Sequence, residues 1–580
     1  MDDSRSVDDS QTTEDSITVD YSLECNDSGW YPASFMERLQ EFRSEGHLVD
    51  VTLCAEEKEL PCHRLVLSAC SDYFHAMFNG AHPESKKDKI EIGGVSAEAL
   101  QLLVDFAYTS KITITTDNVQ PLYEAANMLQ VKPVEDGCED FLTDGLSPET
   151  CLVTWALADR VSNAYLSANA RSFALKFFEE VCATEEFLEL PVDFMKSYFA
   201  DDDLHAEKEK QVIEAVLLWV RYDLEGRQTH LKDLLECVRF SHVDQDYLKN
   251  ILETDKELAG VSGIKELIRD QSVQARSCQN FQGEILILGG LKVDYKPNFL
   301  MDRLDVHCNC VDTTPLPPSL CDIVMGPTAA CVVNNDVIVT VGRKEVWRYK
   351  SSHNSWTELG SLRTERYRPG MAVLQRKVYV VGGVISELII EETEVYNELT
   401  DSWELVAPLR QAVSSFGITS CCEKIYVLGG RFMITYYEES RAKTDVVQCY
   451  SPTLNAWTFA TPLPESMSHI EACTINSKIY LVGGLLASVL CYDPQQDCYE
   501  EMIKPLFPWG SGGATVCGSE IFITGGYVRN DVSCDDHEEK DNLYSSYGVQ
   551  CYNANSNTMI RLHDLPIALS GHISVTIPKL

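Results

Sequence analysis

Apolar and polar positions follow three different rhythms along the chain. From residue 281 onward, apolar runs of five residues recur, each closed by two glycines: "KVYVVGG" (377–383), "KIYVLGG" (424–430) and "KIYLVGG" (478–484). Such runs, bounded by turn residues, read as strands. Residues 146–275 instead carry apolar stripes at helical spacing, as in "VIEAVLLWV" and "LLECVRF". Residues 33–145 mix both patterns. "SFMERLQEFRSEG" puts Phe35, Leu39 and Phe42 on one helical face, with a Ser34/Glu37 capping box predicting its start and Gly46 its stop. "LVDVTLCAE" and "KIEIGG" read as strands and "AEALQLLVDFAYTS" as a helix. Residues 1–32 are acidic and too polar to bury a core, which predicts a disordered tail.

The glycine doublets fall at 289–290, 382–383, 429–430, 483–484 and 525–526, and "VIVTVGR" is an imperfect sixth with Arg343 in place of the second glycine. Successive intervals from Gly289 are 53, 40, 47, 54 and 42 residues, within the range of propeller blades. A Tyr-x6-Trp pair follows in three units: Tyr349/Trp356, Tyr396/Trp403 and Tyr450/Trp457. A small twisted sheet cannot bury both faces alone, so such units must stack side by side. A glycine stands twelve residues before the doublet at Gly370, Gly417 and Gly513, opening an inner strand. The first doublet lacks a preceding strand, while the C-terminal "GHISVTIPKL" is a strand with no doublet after it. The C-terminal strand is therefore expected to complete blade one and hide a sheet edge. "LDVHCNCVDTT" departs from the repeat and is expected to be irregular.

Charge and cysteine usage narrow the function. The net charge is −41, and residues 281–580 hold 35 acidic against 23 basic side chains, so most of the excess lies ahead of them. This balance speaks against nucleic acid as a partner, since phosphate contacts need clustered Lys and Arg. No run of 18 apolar residues predicts a membrane span, and the acidic N-terminus is unlike a signal peptide. The 22 cysteines include no C-x-x-C pair. That pattern predicts reduced thiols in the cytoplasm or nucleus, with no metal site and no cofactor. Cys421 and Cys422 read as buried strand-end thiols, with oxidant sensing as the other reading.

"LVDVTL" followed by "PCHRLVLSACSDYFHAMF" resembles the BTB domain. "CLVTWALADR", "EEFLELP" and "EKQVIEAVLLWV" resemble the BACK domain, and the doublet repeat resembles Kelch. In this order the three match the Kelch-like family along nearly the whole chain. The resemblance implies a multidomain protein: an α/β BTB domain over 33–145, an all-α BACK domain over 146–275 and an all-β six-bladed Kelch propeller over 281–580. It implies no enzyme but a substrate-recognition adaptor of a cullin-3 ubiquitin ligase, with a protein substrate on the propeller and a homodimer through the BTB domain. The alternative within the resemblance is an actin-associated or assembly scaffold. Kelch propellers also occur in copper oxidases, but residues 281–580 hold no His-rich constellation.

Site residues follow from the same resemblance. Asp50, His63 and Arg64 match the BTB polar core and are expected to form a buried, satisfied network. Phe35, Leu39 and Phe42 are expected at the dimer interface. Phe78, His82 and Glu84 are expected to meet cullin-3, with His82 standing where relatives carry an apolar residue. Loops entering the inner strands carry substrate contacts in relatives, which here places Arg366, Arg368, Phe416, His469 and Trp509 around one mouth. Trp509 beside arginines has the composition of a binding hot spot, with packing between blades as the other reading.

Overall fold

The computed structural model describes residues 21–22, 30–79, 86–206, 208–261, 264–269, 276, 283–293, 296–317, 329–386, 388–433, 441–484, 486–507, 509–529 and 543–578. The chain divides into two compact units, residues 1–170 and 171–580.

In the first unit, β1 (Tyr21–Ser22) pairs antiparallel with a short strand at Thr113–Ile114. The helix α1 spans Trp30–Ser44. β1 lies wholly, and α1 partly, within the stretch expected to be disordered: two-residue pairing satisfies an exposed edge without needing an apolar sequence. The helix starts before Ser34, so the Ser34/Glu37 pair lies inside it and does not cap it. Its end is as expected, with Gly46 at φ 71° and His47 N–H donating 2.8 Å to the Phe42 carbonyl. Strands β2 (Val51–Ala55) and β3 (Lys58–Cys62) form an antiparallel hairpin, and β4 (Lys89–Glu91) adds parallel to β2. The helix α2 (Ala97–Thr109) is capped by the Ser96 hydroxyl, which accepts from Ala99 N–H at 3.2 Å. Its Leu100, Leu103 and Val104 pack with Val51, Leu53 and Leu60 in one core, which also takes in Leu157, Ala158 and Leu166.

In the second unit, helices of residues 171–269 precede six four-stranded antiparallel sheets. The inner strands are Ala329–Val333, Gly370–Leu374, Gly417–Cys421, Ile470–Ile475, Gly513–Cys517 and Ile573–Pro578. Each lies beside the next, and the last lies beside both Gly513–Cys517 and Ala329–Val333, so the ring is closed. Blade one takes its inner strand from the C-terminus: Ile573–Pro578 pairs along its whole length with Gly283–Leu288. Its outer strands, Leu300–Leu304 and Cys310–Pro315, pair regularly except for one irregularity at Arg303/Leu304. The unusual "LDVHCNCVDTT" is therefore mostly sheet, with the Asp305 carboxylate accepting from His307 and Asn309 N–H to close the turn.

The doublets end the second strand of each blade with both glycines at positive φ, for example 57° and 106° at Gly382 and Gly383. A Cβ on Gly383 would come 2.8 Å from the Tyr367 carbonyl, and one on Gly430 2.7 Å from that of Ser414. The second glycine thus lets the strand end pass against the loop entering the blade. Arg343 adopts the same left-handed conformation, φ 57°, without being a glycine.

Between blades the tyrosines do more than fill space. Tyr349, Tyr396, Tyr450, Tyr492 and Tyr552 each donate to the Asn or Asp five residues on, at 2.6–3.1 Å. Those acceptors, Asn354, Asp401, Asn455, Asp497 and Asn557, all sit in the left-handed region, which Asn and Asp tolerate best. Asp401 also accepts from Gly360 N–H, and Trp403 Nε1 donates to the Gly360 carbonyl, both at 2.8 Å. Asn455 and Trp457 hold Ala407 in the same way. Each such blade therefore clamps the segment arriving from the blade before it.

In the second unit, the C-terminal end of the helix Ala164–Lys176 docks on the propeller. Lys176 is buried, with Nζ 2.6 Å from a Glu520 carboxylate oxygen and 5.1 Å from the Phe522 ring centre. Burial alone would pull its pKa down, but Glu520 outweighs that and holds the ammonium charged. Phe177 packs against His307 and His563, and Ser172 accepts from Thr558 at 3.1 Å. Removing the carboxylate strands a buried cation. Glu520→Ala is therefore expected to cost about 3–5 kcal/mol, and a Lys176→Met/Glu520→Leu double variant to recover most of it. Urea denaturation of the full chain measures both.

Candidate binding site at the propeller mouth

The loop entering each inner strand has one recurring geometry. Arg368, Ser415, His469, Ser511 and Gly571 stand at equivalent positions and all have positive φ, between 48° and 61°. Four of the five are not glycine, at a backbone cost of about 1 kcal/mol each. The turn sends the chain down into the channel and links neighbours around the ring. His469 N–H donates to the Ser415 carbonyl at 2.9 Å and Gly571 N–H to that of Ser511 at 2.6 Å. Together these residues rim a cavity of about 450 Å³ that also takes in Tyr367, Phe416, Glu471, Tyr527 and His572. That volume is within the range of ligand pockets.

Of the five residues expected around this mouth, three reach it. Arg368 is exposed on the rim, His469 is half-buried, and Phe416 lines the wall at 9% exposure with its ring over Gly370. Arg366 and Trp509 do not, which corrects the expectation for both. Trp509 is 2% exposed and lies between blades against Gly483 and Gly512, where an indole fills volume that only glycine leaves open. Arg366 is 1% exposed and makes a 2.5 Å ion pair with Glu394, with further bonds to the Gly382 and Glu392 carbonyls.

The reason for Arg366 lies in the repeat. Gln448 and Gln550 each use their Oε1 to accept two or one backbone N–H groups of the segment arriving from the blade before, and their Nε2 to donate back. Glu394 holds the equivalent place in its blade and accepts from Arg363 and Thr364 N–H at 2.7 and 3.0 Å. It carries a charge where the others are neutral, and Arg366 neutralises it. A Glu at a Gln position was the available signal in the sequence.

The charges that bear on His469 are basic. Burial first, then Arg431, Arg368 and Lys443, push the His469 imidazole down to about 4. Arg431 Nε lies 3.5 Å from Ser468 Oγ beside it. His572 is buried in the wall, with Nε2 2.8 Å from Thr524 Oγ1 and no partner for Nδ1. Burial pushes its pKa down to about 4, so the ring is neutral. Among the described residues no group of three or more His, Cys, Asp or Glu side chains is placed to hold a metal ion. The Cys421 and Cys422 sulfurs lie 3.6 Å apart at the opposite end of an inner strand, and the expected burial is corrected for Cys422, which is exposed in the turn while Cys421 is buried.

In the first unit the polar network is real but only partly buried. His63 is buried, with Nδ1 2.8 Å from the Tyr108 hydroxyl and Nε2 2.8 Å from the His47 carbonyl. Asp50 is exposed and accepts from Arg64 N–H at 2.8 Å, while half-buried Arg64 reaches the Lys87 carbonyl at 2.7 Å. The expected buried network is therefore corrected to one buried histidine with a solvent-facing clasp, because a carboxylate at the surface keeps its hydration. Phe35 is 52% exposed. Leu39 packs inward on its own core and half-buried Phe42 lies edge-on to His47, so Phe35 is the most exposed of the three. Phe78 stacks on Phe74 at 5.8 Å under the Arg64 guanidinium. His82 and Glu84 lie outside the described residues.

A front half of helices with a small sheet, and a closed ring of six four-stranded blades, define a multidomain protein. Residues 39–146 match the BTB/POZ domain, 151–253 match BACK (BTB And C-terminal Kelch), and 365–410 and 412–464 match the Kelch motif. Over 562 residues the chain is 32% identical to Kelch-like protein 24 of Rattus norvegicus, covering 94% of this chain and 90% of that one. It is 33% identical to Kelch-like protein 6 of Homo sapiens, covering 84% and 89%, and 30% identical to Kelch-like protein 35 of Mus musculus, covering 85% and 88%. The chain belongs to the Kelch-like family of BTB, BACK and Kelch proteins.

Two arginines two residues apart should now behave oppositely. Arg366→Ala leaves Glu394 buried and unpaired and is expected to cost about 3–5 kcal/mol of propeller stability. Arg368→Ala, on the exposed rim, is expected to leave the melting temperature within about a degree and to reduce partner capture in proximity labelling.

Proposed function

We propose that the chain is a substrate-recognition adaptor of a cullin-3 RING ubiquitin ligase. In this reading the BTB and BACK segments bind cullin-3, the BTB segment forms a homodimer, and the propeller mouth binds a protein substrate in the cytoplasm or nucleus. The observation that carries it is the placement of the mouth. It is built from the starts of the inner strands, whereas Glu520, which receives Lys176 from the helical segment, begins a second strand at the other end of its blade. The helical segment of this unit thus meets the propeller at the end away from the mouth. Such an adaptor needs no chemistry of its own. Holding a substrate beside a charged ubiquitin carrier raises its effective concentration, and a dimer adds avidity.

Cullin-3 docking is assigned to the segment after Phe78, with Glu84 as a polar contact and His82 in an apolar position. Imidazole buries less apolar surface than leucine, a difference of about 1–2 kcal/mol, or roughly 5- to 30-fold in affinity. Calorimetry of the full chain with the N-terminal region of cullin-3 should show tighter binding for His82→Leu and weaker binding for Glu84→Ala. No heat of binding for any variant, with actin co-purifying from cell extract instead, would replace the adaptor reading with the scaffold one. Light scattering of the full chain is expected to give twice the chain mass, and Phe35→Asp to shift it toward the monomer.

A further inference from the structure

The repeat is broken at one place inside the mouth. Gly370, Gly417 and Gly513 occupy the same register position, each facing the residue just before its blade's doublet: Val381, Leu428 and Thr524. In the fifth blade that position, facing Val482, is Glu471. The glycines are there because the next blade leans over them. A Cβ on Gly370 would meet the Phe416 ring at 2.5 Å, one on Gly417 would meet Ile470 at 3.3 Å, and one on Gly513 would meet His572 at 3.1 Å. Over Glu471 the corresponding residue of the next blade is Gly512, which has no side chain to lean with. Space closed in three blades is open in this one, and a carboxyl group occupies it.

That carboxyl is the one Asp, Glu, Lys or Arg side chain on the six inner strands. It lines the cavity and remains partly accessible from it, yet the channel walls enclose it enough to push its pKa up to about 8 through burial. No side-chain hydrogen bond or ion pair of the described residues reaches it, and the arginines of the rim do not offset its burial. It lies two residues below His469, a depth of ~7 Å along a strand. Among the described residues the mouth therefore carries Arg368 on its rim, with Arg431 and Lys443 close enough to act on His469, over a carboxyl floor with no counter-charge.

We propose that Glu471 receives a lysine or arginine side chain that the bound partner inserts into the channel, while acidic residues flanking it on the partner meet the basic rim. The partner segment is a protein loop or tail with one basic residue between acidic ones, within reach of the floor from the rim. A buried carboxyl near its ionisation point is converted to the carboxylate by an arriving cation, so the pair forms without a preformed charge in the empty channel. The basic rim also rejects uniformly basic segments, and a floor that ionises only beside a cation rejects uniformly acidic ones, a selection by unmatched charge. This inference rests on the mouth being the partner-binding face proposed above.

The test is selection of a random twelve-residue peptide library on the immobilised full chain, in parallel with Glu471→Gln and Lys443→Glu variants. Wild type is expected to enrich acidic peptides that carry one Lys or Arg. Glu471→Gln should lose the basic residue but keep the acidic bias, and Lys443→Glu should lose the acidic bias. For a selected peptide, replacing its basic residue with norleucine should weaken binding at least tenfold to wild type and by less than twofold to Glu471→Gln. The inference is overturned if no peptides are enriched, if the enriched set lacks a basic residue, or if wild type and Glu471→Gln select the same one. Cullin-3 binding by the Glu471→Gln chain separates the two levels. If it persists while the selection fails, the inference falls and the adaptor reading stands; if cullin-3 is not bound while the selection succeeds, the reverse holds.

Discussion

Closure of the ring by Ile573–Pro578 is the constraint on which the rest of the second unit depends. A four-stranded blade exposes two faces and two edges, and it buries its faces only between neighbours. Five blades assemble from consecutive chain, but the sixth inner strand comes from the far C-terminus and lies between the first and last blades. The same segment carries Gly571 and His572 into the mouth. Closure and the binding cavity are thus one event: until the last strand pairs with Gly283–Leu288, the rim is an open arc.

Around that ring the structure keeps its polar groups in repeated, satisfied sets. The tyrosine-to-Asn/Asp clamps hold the outer segments, and the Gln448, Gln550 and Glu394 positions hold the inner ones. Charge appears in these buried sets where it is paired, as in Glu394 with Arg366 and Lys176 with Glu520. Glu471 has no such mate among the described residues, and it faces the channel. The contrast between paired buried charges and an unpaired buried carboxyl is what the proposed site rests on.

The sequence made the architecture legible because its signals are backbone demands. Glycine doublets at positive φ, and glycines beneath a neighbouring blade, can be read from spacing alone. Depth around the mouth was not legible in the same way. Arg366 and Arg368 are two residues apart in one loop, and which of them turns inward depends on Glu394, 26 residues beyond Arg368. Trp509 has the composition of an exposed anchor, but the volume waiting for it is defined by Gly483 in another blade. Two signals were present and unread. Tyr-x4-Asn/Asp recurs five times, three of them inside the Tyr-x6-Trp pairs, and Glu471 stands twelve residues before its doublet where three other blades have glycine.

The account's central claim is that the two ends of this chain hold different partners at once. It is tested most directly by light scattering during size-exclusion chromatography of the full chain mixed with the N-terminal region of cullin-3 and a library-selected peptide fused to a carrier protein. The account predicts one peak containing all three components in equal molar amounts, with two copies of each if the chain is dimeric. Separate peaks, or displacement of one partner by the other, would contradict it.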